Sequence, residues 1–249
     1  MFQEEKFDYI LKKLKKNSRV SVSDLSYELD VSEVTIRKYL TELEEKGLLK
    51  RTFGGAILPD KLVKEKNFFS KNTTNVKEKI DISKKAHLLL EDNQDIFLDA
   101  GTTTQYIVDV ISHYNNMKII TYDINIAIKA SSYKNIEVYL LGGIVDSNSM
   151  ISMSIDAYEM LKNLHADICF IGTDAFDKNY VYSTNHLKSK IKNSMIKNSK
   201  IRVLVSDSSK YEKRGLISFY ETKNFDYILT DKKNKDLINY IQKLEEEDG

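Results

Sequence analysis

The stretch Asp99-Ala100-Gly101-Thr102-Thr103-Thr104 concentrates groups that can do chemistry. It follows the apolar run Ile96-Phe97-Leu98 and precedes Ile107, Val108 and Ile111, which share one helical face. A buried strand that turns through glycine into a helix start points backbone N–H groups, three threonine hydroxyls and the positive end of a helix dipole at one spot. The guest suited to that spot is an anion, most often a phosphate.

Other apolar runs end in the same kind of residue: Thr121-Tyr122-Asp123, Gly142-Gly143, Gly172-Thr173-Asp174 and Ser206-Asp207-Ser208-Ser209-Lys210. A core needs none of these. Ligands of open parallel sheets bind at the carboxyl ends of the strands, so their recurrence there predicts a binding site. Its candidate residues are Asp99, Gly101, Thr102, Thr103, Thr104, Tyr122, Asp123, Gly142, Gly143, Gly172, Asp174, Lys192, Asp207 and Lys210. Gly101 lets the backbone approach a phosphate, and the threonines add hydroxyl donors. Asp99, Asp174 and Asp207 are placed to accept hydrogen bonds from sugar hydroxyls. Lys210 reads as a phosphate counter-charge or a solvated surface lysine, and Lys192, on a helix after Thr184, faces either the site or solvent.

Several chemistries find no support. His87, His113, His165 and His186 lack metal-ligand spacing, so no metal is expected, and no cofactor either. The single cysteine, Cys169, lies in Ile168-Cys169-Phe170-Ile171 and reads as core. No Ser-His-Asp or Cys-His arrangement can be argued. The chain has 249 residues, a 30% charged fraction and a formal net charge of +1, so nucleic-acid contact requires a local patch rather than a global field. No uncharged apolar stretch is long enough to span a bilayer, and the N-terminus lacks the basic start and apolar core of a signal peptide, so a cytoplasmic protein is expected.

The elements that must position these groups fall into two domains. From Lys77 onward, apolar runs at 96–98, Lys118–Thr121, Glu137–Leu141, Asp167–Ile171, Ile201–Val205 and Tyr227–Thr230 alternate with helical patterns such as Ile124–Ala130, Ala157–Leu164, Ile191–Ser199 and Leu237–Leu244. This alternation predicts an α/β domain over 77–249 with a mainly parallel open sheet. Residues 59–76 contain Pro59, Lys61, Lys64, Lys66 and Asn72-Thr73-Thr74-Asn75 and read as a polar linker.

Residues 1–58 have a different plan. Phe7, Ile10, Leu11 and Leu14 mark a first helix. Ser21-Val22-Ser23-Asp24 has capping-box chemistry ahead of Leu25 and Leu29, Asp30-Val31 turns, and Ser32 caps a third helix with Ile36, Leu40 and Leu43 inward and Gly47 as its left-handed end. Leu48 to Leu58, interrupted by Gly54-Gly55, reads as a hairpin. Short helix, tight turn, longer helix and basic hairpin predict a winged helix-turn-helix that binds double-stranded DNA. Its candidate contacts are Ser23, Ser32, Thr35, Arg37, Lys38, Lys50 and Arg51.

Arg19 to Ser26, Ser32 to Arg37, Leu40 to Leu49 and Arg51-x-x-Gly-Gly-Ala56 together resemble the DeoR-type winged-helix head. Phe97 to Thr104, Leu140-Leu-Gly-Gly143, Ile171-Gly-Thr-Asp174, Lys192 with Met195-Ile196, and Asp207-Ser-Ser-Lys210 resemble that family's sensor domain. The resemblance implies a bacterial transcriptional regulator, usually a repressor of a sugar-catabolism operon, that responds to a phosphorylated sugar and acts as a homodimer or homotetramer. It also implies a sensor fold similar to ribose-5-phosphate isomerase, so the rival reading is a phosphosugar isomerase with an accessory head. The family commonly has Arg-Asp where this chain has Lys38-Tyr39, and acidic residues where it has Lys188 and Lys190. Those lysines predict either a more negatively charged effector or a solvated helix face.

Overall fold

The computed structural model describes residues 3–17, 19–45, 48–57, 63 and 67–247. Gly47, Pro59, Lys61, Lys64 and Lys66 lie outside them. The chain divides into two compact units, 1–61 and 62–249.

In the first unit, α1 (Gln3–Asn17), β1 (Arg19–Ser21), α2 (Val22–Leu29) and α3 (Glu33–Glu45) precede a hairpin of β2 (Lys50–Thr52) and β3 (Gly55–Ile57). The apolar stripes meet in one core that includes Ile10, Leu14, Leu25, Ile36, Leu40, Leu43 and Ala56. The Ser21 hydroxyl accepts from the Asp24 amide at 3.0 Å and caps α2, while Asp30, at φ 50°, closes it in the left-handed region. The Ser32 hydroxyl accepts from the Thr35 amide at 3.2 Å and caps α3. The hairpin gains a third strand, β1, that hydropathy did not show; it pairs antiparallel with β3. Three residues with a mixed burial pattern are too short to carry a readable period. Gly55 is required by that pairing, because a Cβ there would stand 2.0 Å from the Val20 carbonyl oxygen.

The second unit runs α4 (Phe68–Asn72), α5 (Val76–Lys84), β4 (Asp95–Leu98), α6 (Thr102–Ile111), β5 (Met117–Thr121), α7 (Ile124–Ala130) and β6 (Ile136–Leu140). It continues with β7 (Ile144–Asp146), β8 (Ile151–Met153), α8 (Ile155–Leu161), β9 (Ala166–Gly172), β10 (Ala175–Phe176), β11 (Tyr180–Ser183) and α9 (His186–Lys197). It ends with β12 (Ser199–Val205), β13 (Ile217–Glu221), β14 (Tyr227–Leu229) and α10 (Lys235–Glu247). The six predicted strands form one parallel sheet in the order β14-β12-β9-β4-β5-β6.

Both faces of this sheet are covered, which is why its strands are apolar runs without alternation. Along β9, Ile168 and Phe170 join one core with Ile96, Leu98, Ile107, Val108 and Ile126, from β4, α6 and α7. Cys169 and Ile171 join the other core, with Phe97, Leu161, Met195 and Leu204. Cys169 is therefore a core residue, its thiol pushed up to about 12 by burial.

The chain leaves β4 toward β5 and β6, then returns to place β9 on the other side of β4. The carboxyl ends of β4 and β9 thus flank a topological switch point, where α/β sheets open a crevice. Two smaller sheets were not legible: the β7–β8 hairpin and the antiparallel β10-β11-β13. Their strands have two to five residues.

Part of the expected linker is ordered structure of the second unit. Residues 67–75 carry α4, capped by Asn67, whose side chain accepts from the Ser70 amide at 2.8 Å. The Phe68 amide donates to the Asn148 carbonyl at 2.8 Å, and Asn75 Nδ2 donates to Asp207 Oδ1 at 3.1 Å. A polar composition marks this stretch as exposed chain, but its amides and asparagines satisfy fixed partners.

Candidate functional site

A small cavity of about 50 Å³ lies at the switch point. It is lined by Ala100 and Gly101 after β4, Thr102, Thr103 and Thr104 at the start of α6, and Tyr122 after β5. Gly172, Thr173 and Asp174 at the end of β9, Lys188 and Lys192 on α9, Lys210 after β12 and Lys71 on α4 complete it.

The α6 start has the geometry of a helix N-terminus that suits an anion. No side chain caps it, and its first backbone bond runs from the Gln105 amide to the Gly101 carbonyl at 3.0 Å. The amides of Thr102, Thr103 and Thr104 are left at the cavity wall without an intrahelical acceptor. Thr104 donates its hydroxyl to the Gly101 carbonyl at 2.8 Å. Four lysines line the cavity, of which Lys71 pairs with Asp174 at the wall, Lys192 with Asp99 behind it, and Lys210 stands 4.0 Å from Asp207.

Behind the wall lies a buried ionic floor. Asp99 is 0% exposed. Its Oδ1 accepts from the Tyr122 hydroxyl at 2.6 Å, and its Oδ2 from the Gly172 amide at 2.8 Å and from the Lys192 ammonium. Lys192 also donates to the Gly172 carbonyl at 2.9 Å. This carboxylate ties β4, β5, β9 and α9 together. Burial and the neighbouring carboxylate raise the Tyr122 phenol well above its ordinary value, so it stays a donor.

Asp123, also buried, holds the glycine loop. Its Oδ2 accepts from the Gly101 amide at 3.1 Å and its Oδ1 from the Ile126 amide at 3.0 Å, capping α7. Burial pushes this acid up to about 6, against the opposing pull of the backbone amides. Asp207 accepts from the Ser209 amide at 3.2 Å as well as from Asn75, which turns the chain that carries Lys210.

Five of the predicted residues therefore do not line the cavity: Asp99, Asp123, Gly142, Gly143 and Asp207. The three carboxylates are 2% exposed or less, and each accepts hydrogen bonds from protein donors. Gly143 has a structural reason instead: with φ at 146°, a Cβ would stand 2.3 Å from the Met153 carbonyl carbon. The others, Gly101, Thr102, Thr103, Thr104, Tyr122, Gly172, Asp174, Lys192 and Lys210, are brought together.

Asp174 is the one predicted carboxylate at the wall. Its Oδ1 accepts from Lys71 Nζ at 2.9 Å and its Oδ2 from the Thr184 hydroxyl at 3.2 Å. Burial works against its charge, but Lys71, Lys192 and Lys210 outweigh it and hold the acid well below the usual carboxylate range. Lys210 donates to the Thr173 carbonyl at 2.8 Å, with burial lowering its ammonium from the ordinary value.

The two unusual lysines separate. Lys188 is buried against the cavity, whereas Lys190 reaches toward the Tyr158 ring, 5.9 Å from its centroid. Lys71 was missed because composition assigned its segment to a linker, and its cavity partner is 103 residues away in sequence. Among the described residues, no group of three or more His, Cys, Asp or Glu side chains could hold a metal ion, and no helix is long and apolar enough to cross a membrane.

In the first unit, Ser23, Ser32, Arg37, Lys38, Lys50 and Arg51 are exposed and Thr35 is half-buried. Arg37 pairs with Glu33 one turn earlier, at 3.1 Å. Arg51 does more than carry charge: its Nη1 donates to the Thr41 hydroxyl at 2.7 Å and its amide to Glu44 at 2.7 Å, fastening the wing to α3. Val34, 77% exposed on the first turn of α3, and Phe53, fully exposed at the wing tip, were not singled out in sequence. Val34 falls outside the Ile36–Leu40–Leu43 stripe, which is the signal that could have found it.

Residues 7–62 match the DeoR-like helix-turn-helix domain, and residues 74–232 match the DeoR C terminal sensor domain. The chain belongs to the DeoR family of transcriptional regulators. It is 33% identical over 244 residues to the HTH-type transcriptional regulator GolR of Listeria innocua, covering 97% of this chain and 96% of that one. It is 31% identical to the HTH-type transcriptional repressor GlcR of Bacillus subtilis, over 93% of this chain and 90% of the relative. Identity to the lactose phosphotransferase system repressor of Staphylococcus epidermidis is 32%, over 94% and 93%. Among solved structures, a D-ribose-5-phosphate isomerase in complex with phospho-erythronic acid overlays loosely, with a TM-score of 0.40 at 16% identity over 53% of this chain and 52% of that one. The family makes this chain a DNA-binding transcriptional regulator with an α/β sensor.

Proposed function

We propose that this chain represses a sugar-utilisation operon and is controlled by a phosphorylated sugar bound in the switch-point cavity. The observation that carries the reading is the meeting of three uncapped amides at the α6 start with Lys71, Lys188, Lys192 and Lys210 around one space. Such a helix start with nearby ammonium groups suits a phosphate dianion. Asp174, Thr102 and Thr103 line the same space and suit the hydroxyls of an attached sugar. The lactose phosphotransferase system relative supports a sugar-linked role.

In this reading α3 enters the major groove with Val34, Thr35, Arg37 and Lys38 on base edges or phosphates. Lys50 and Phe53 of the wing lie on the backbone, and a two-fold dimer reads a repeated or palindromic operator. The cavity is a sensor and not an active site. Its lining carboxylate is held ionised by three ammonium groups, which makes Asp174 a weak general base.

Calorimetric titration of the full chain with pentose and hexose monophosphates, their parent sugars and inorganic phosphate tests this. One monophosphate is expected to bind well above its parent sugar, and Lys210→Met to weaken it. Equal affinity for a sugar and its phosphate would overturn the anion site, and enzyme-like turnover of any of these phosphates would overturn the sensor.

A further inference from the structure

Among the cavity lysines, Lys71 alone comes before the first strand of the sheet in the chain. It sits on α4, in the segment 63–73 that falls between the two family matches, 7–62 and 74–232. Its ammonium reaches Asp174 Oδ1 at 2.9 Å, and its backbone carbonyl accepts from the buried Lys79 ammonium. Lys79 is itself pushed down to about 8 by burial and by the nearby Lys210 and Lys71 charges. Asn75, three residues past the end of α4, is tied to Asp207 and Ser209. The stretch 67–75 is therefore attached at two points around the cavity, to Asp174 through Lys71 and to the Lys210 turn through Asn75. Among the described elements it is also the first after the DNA-binding unit, which ends at residue 61.

We infer that Lys71 is the residue through which an anion in the cavity acts on the segment leading from the DNA-binding unit. The inference rests on the anion site proposed above. Among the described residues, the ion-pair partner of Lys71 is Asp174. A phosphate at the α6 start adds a second acceptor on the same wall, and a lysine ammonium with three donors can serve both. Binding then pins α4 to the cavity more firmly than Asp174 alone does. A ligand shifts a conformational equilibrium only through a contact that differs between the two states. Among the cavity lysines, Lys71 can make such a contact on behalf of the inter-unit segment, because Lys188, Lys192 and Lys210 belong to the body of the sensor.

The test is amide hydrogen exchange on the full chain, with inorganic phosphate as the probe and chloride at equal ionic strength as control. In the wild type, phosphate is expected to slow exchange several-fold both at 101–104 and at 67–75. In Lys71→Met, which lacks one of the cavity ammonium groups, phosphate is raised until 101–104 is slowed as in the wild type; the slowing at 67–75 is then absent, and Lys71→Arg restores it. Slowing at 101–104 alone in the wild type overturns the role of Lys71 and leaves the anion site standing. No slowing at 101–104 overturns the anion site itself. Undiminished slowing at 67–75 in Lys71→Met also overturns the inference, and the wild-type comparison decides the matter should that variant fail to fold.

Discussion

Lys192 and Asp99 make a salt bridge with 6% and 0% side-chain exposure, so neither charge has access to bulk water. Removing one partner of such a pair leaves the other buried and uncompensated. Lys192→Met is therefore expected to destabilise the sensor unit by about 3–5 kcal/mol, read as a lower urea midpoint. A midpoint unchanged from wild type would show that Asp99 does not need its ammonium. At this scale the sequence was legible in kind but not in layer. Residue types at the strand ends identified a polar cluster, yet they could not separate Thr102 and Asp174, which face the cavity, from Asp99, Asp123 and Asp207, which hold the wall from behind. A carboxylate that accepts backbone amides and one that awaits a ligand look identical in one dimension. Only the depth of the switch point, where four elements converge on Asp99, distinguishes them.

Among the elements, the long periodic ones were readable because tertiary packing agrees with local pattern: α1, α3 and the six parallel strands fall where hydropathy puts them. The elements that went unread, β1, α4 and the strands of the two small sheets, have two to five residues and owe their conformation to neighbours. The wing shows how strict that dependence is. Gly54 turns the hairpin at φ 85° with open space around it, while Gly55 packs its Cα against β1. Gly55→Ala is expected to push β1 from β3 and cost about 1–3 kcal/mol, as overpacking does. A calorimetric melt of the full chain reads this as a lowered transition of the DNA-binding unit. An unshifted melt would mean that β1 moves aside at no cost.

At the scale of the whole molecule, two units with separate cores carry two chemistries, a cationic wing with its helix and a cation-lined cavity. A net charge of +1 makes both local, which favours recognition of particular anions over general attraction to polyanions. Regulation then requires that the two binding events share free energy, typically 1–3 kcal/mol, or roughly 5–150-fold in affinity. Under the proposed function linkage is reciprocal, so operator DNA is expected to lower the affinity for the sugar phosphate by the same factor. The most direct test is fluorescence anisotropy of the full chain on DNA from upstream of its own gene, titrated with the monophosphate that binds calorimetrically. The account predicts that saturating sugar phosphate weakens operator binding by roughly 5–150-fold, while the parent sugar leaves it unchanged. A sugar phosphate that binds the protein yet leaves operator affinity untouched would contradict it.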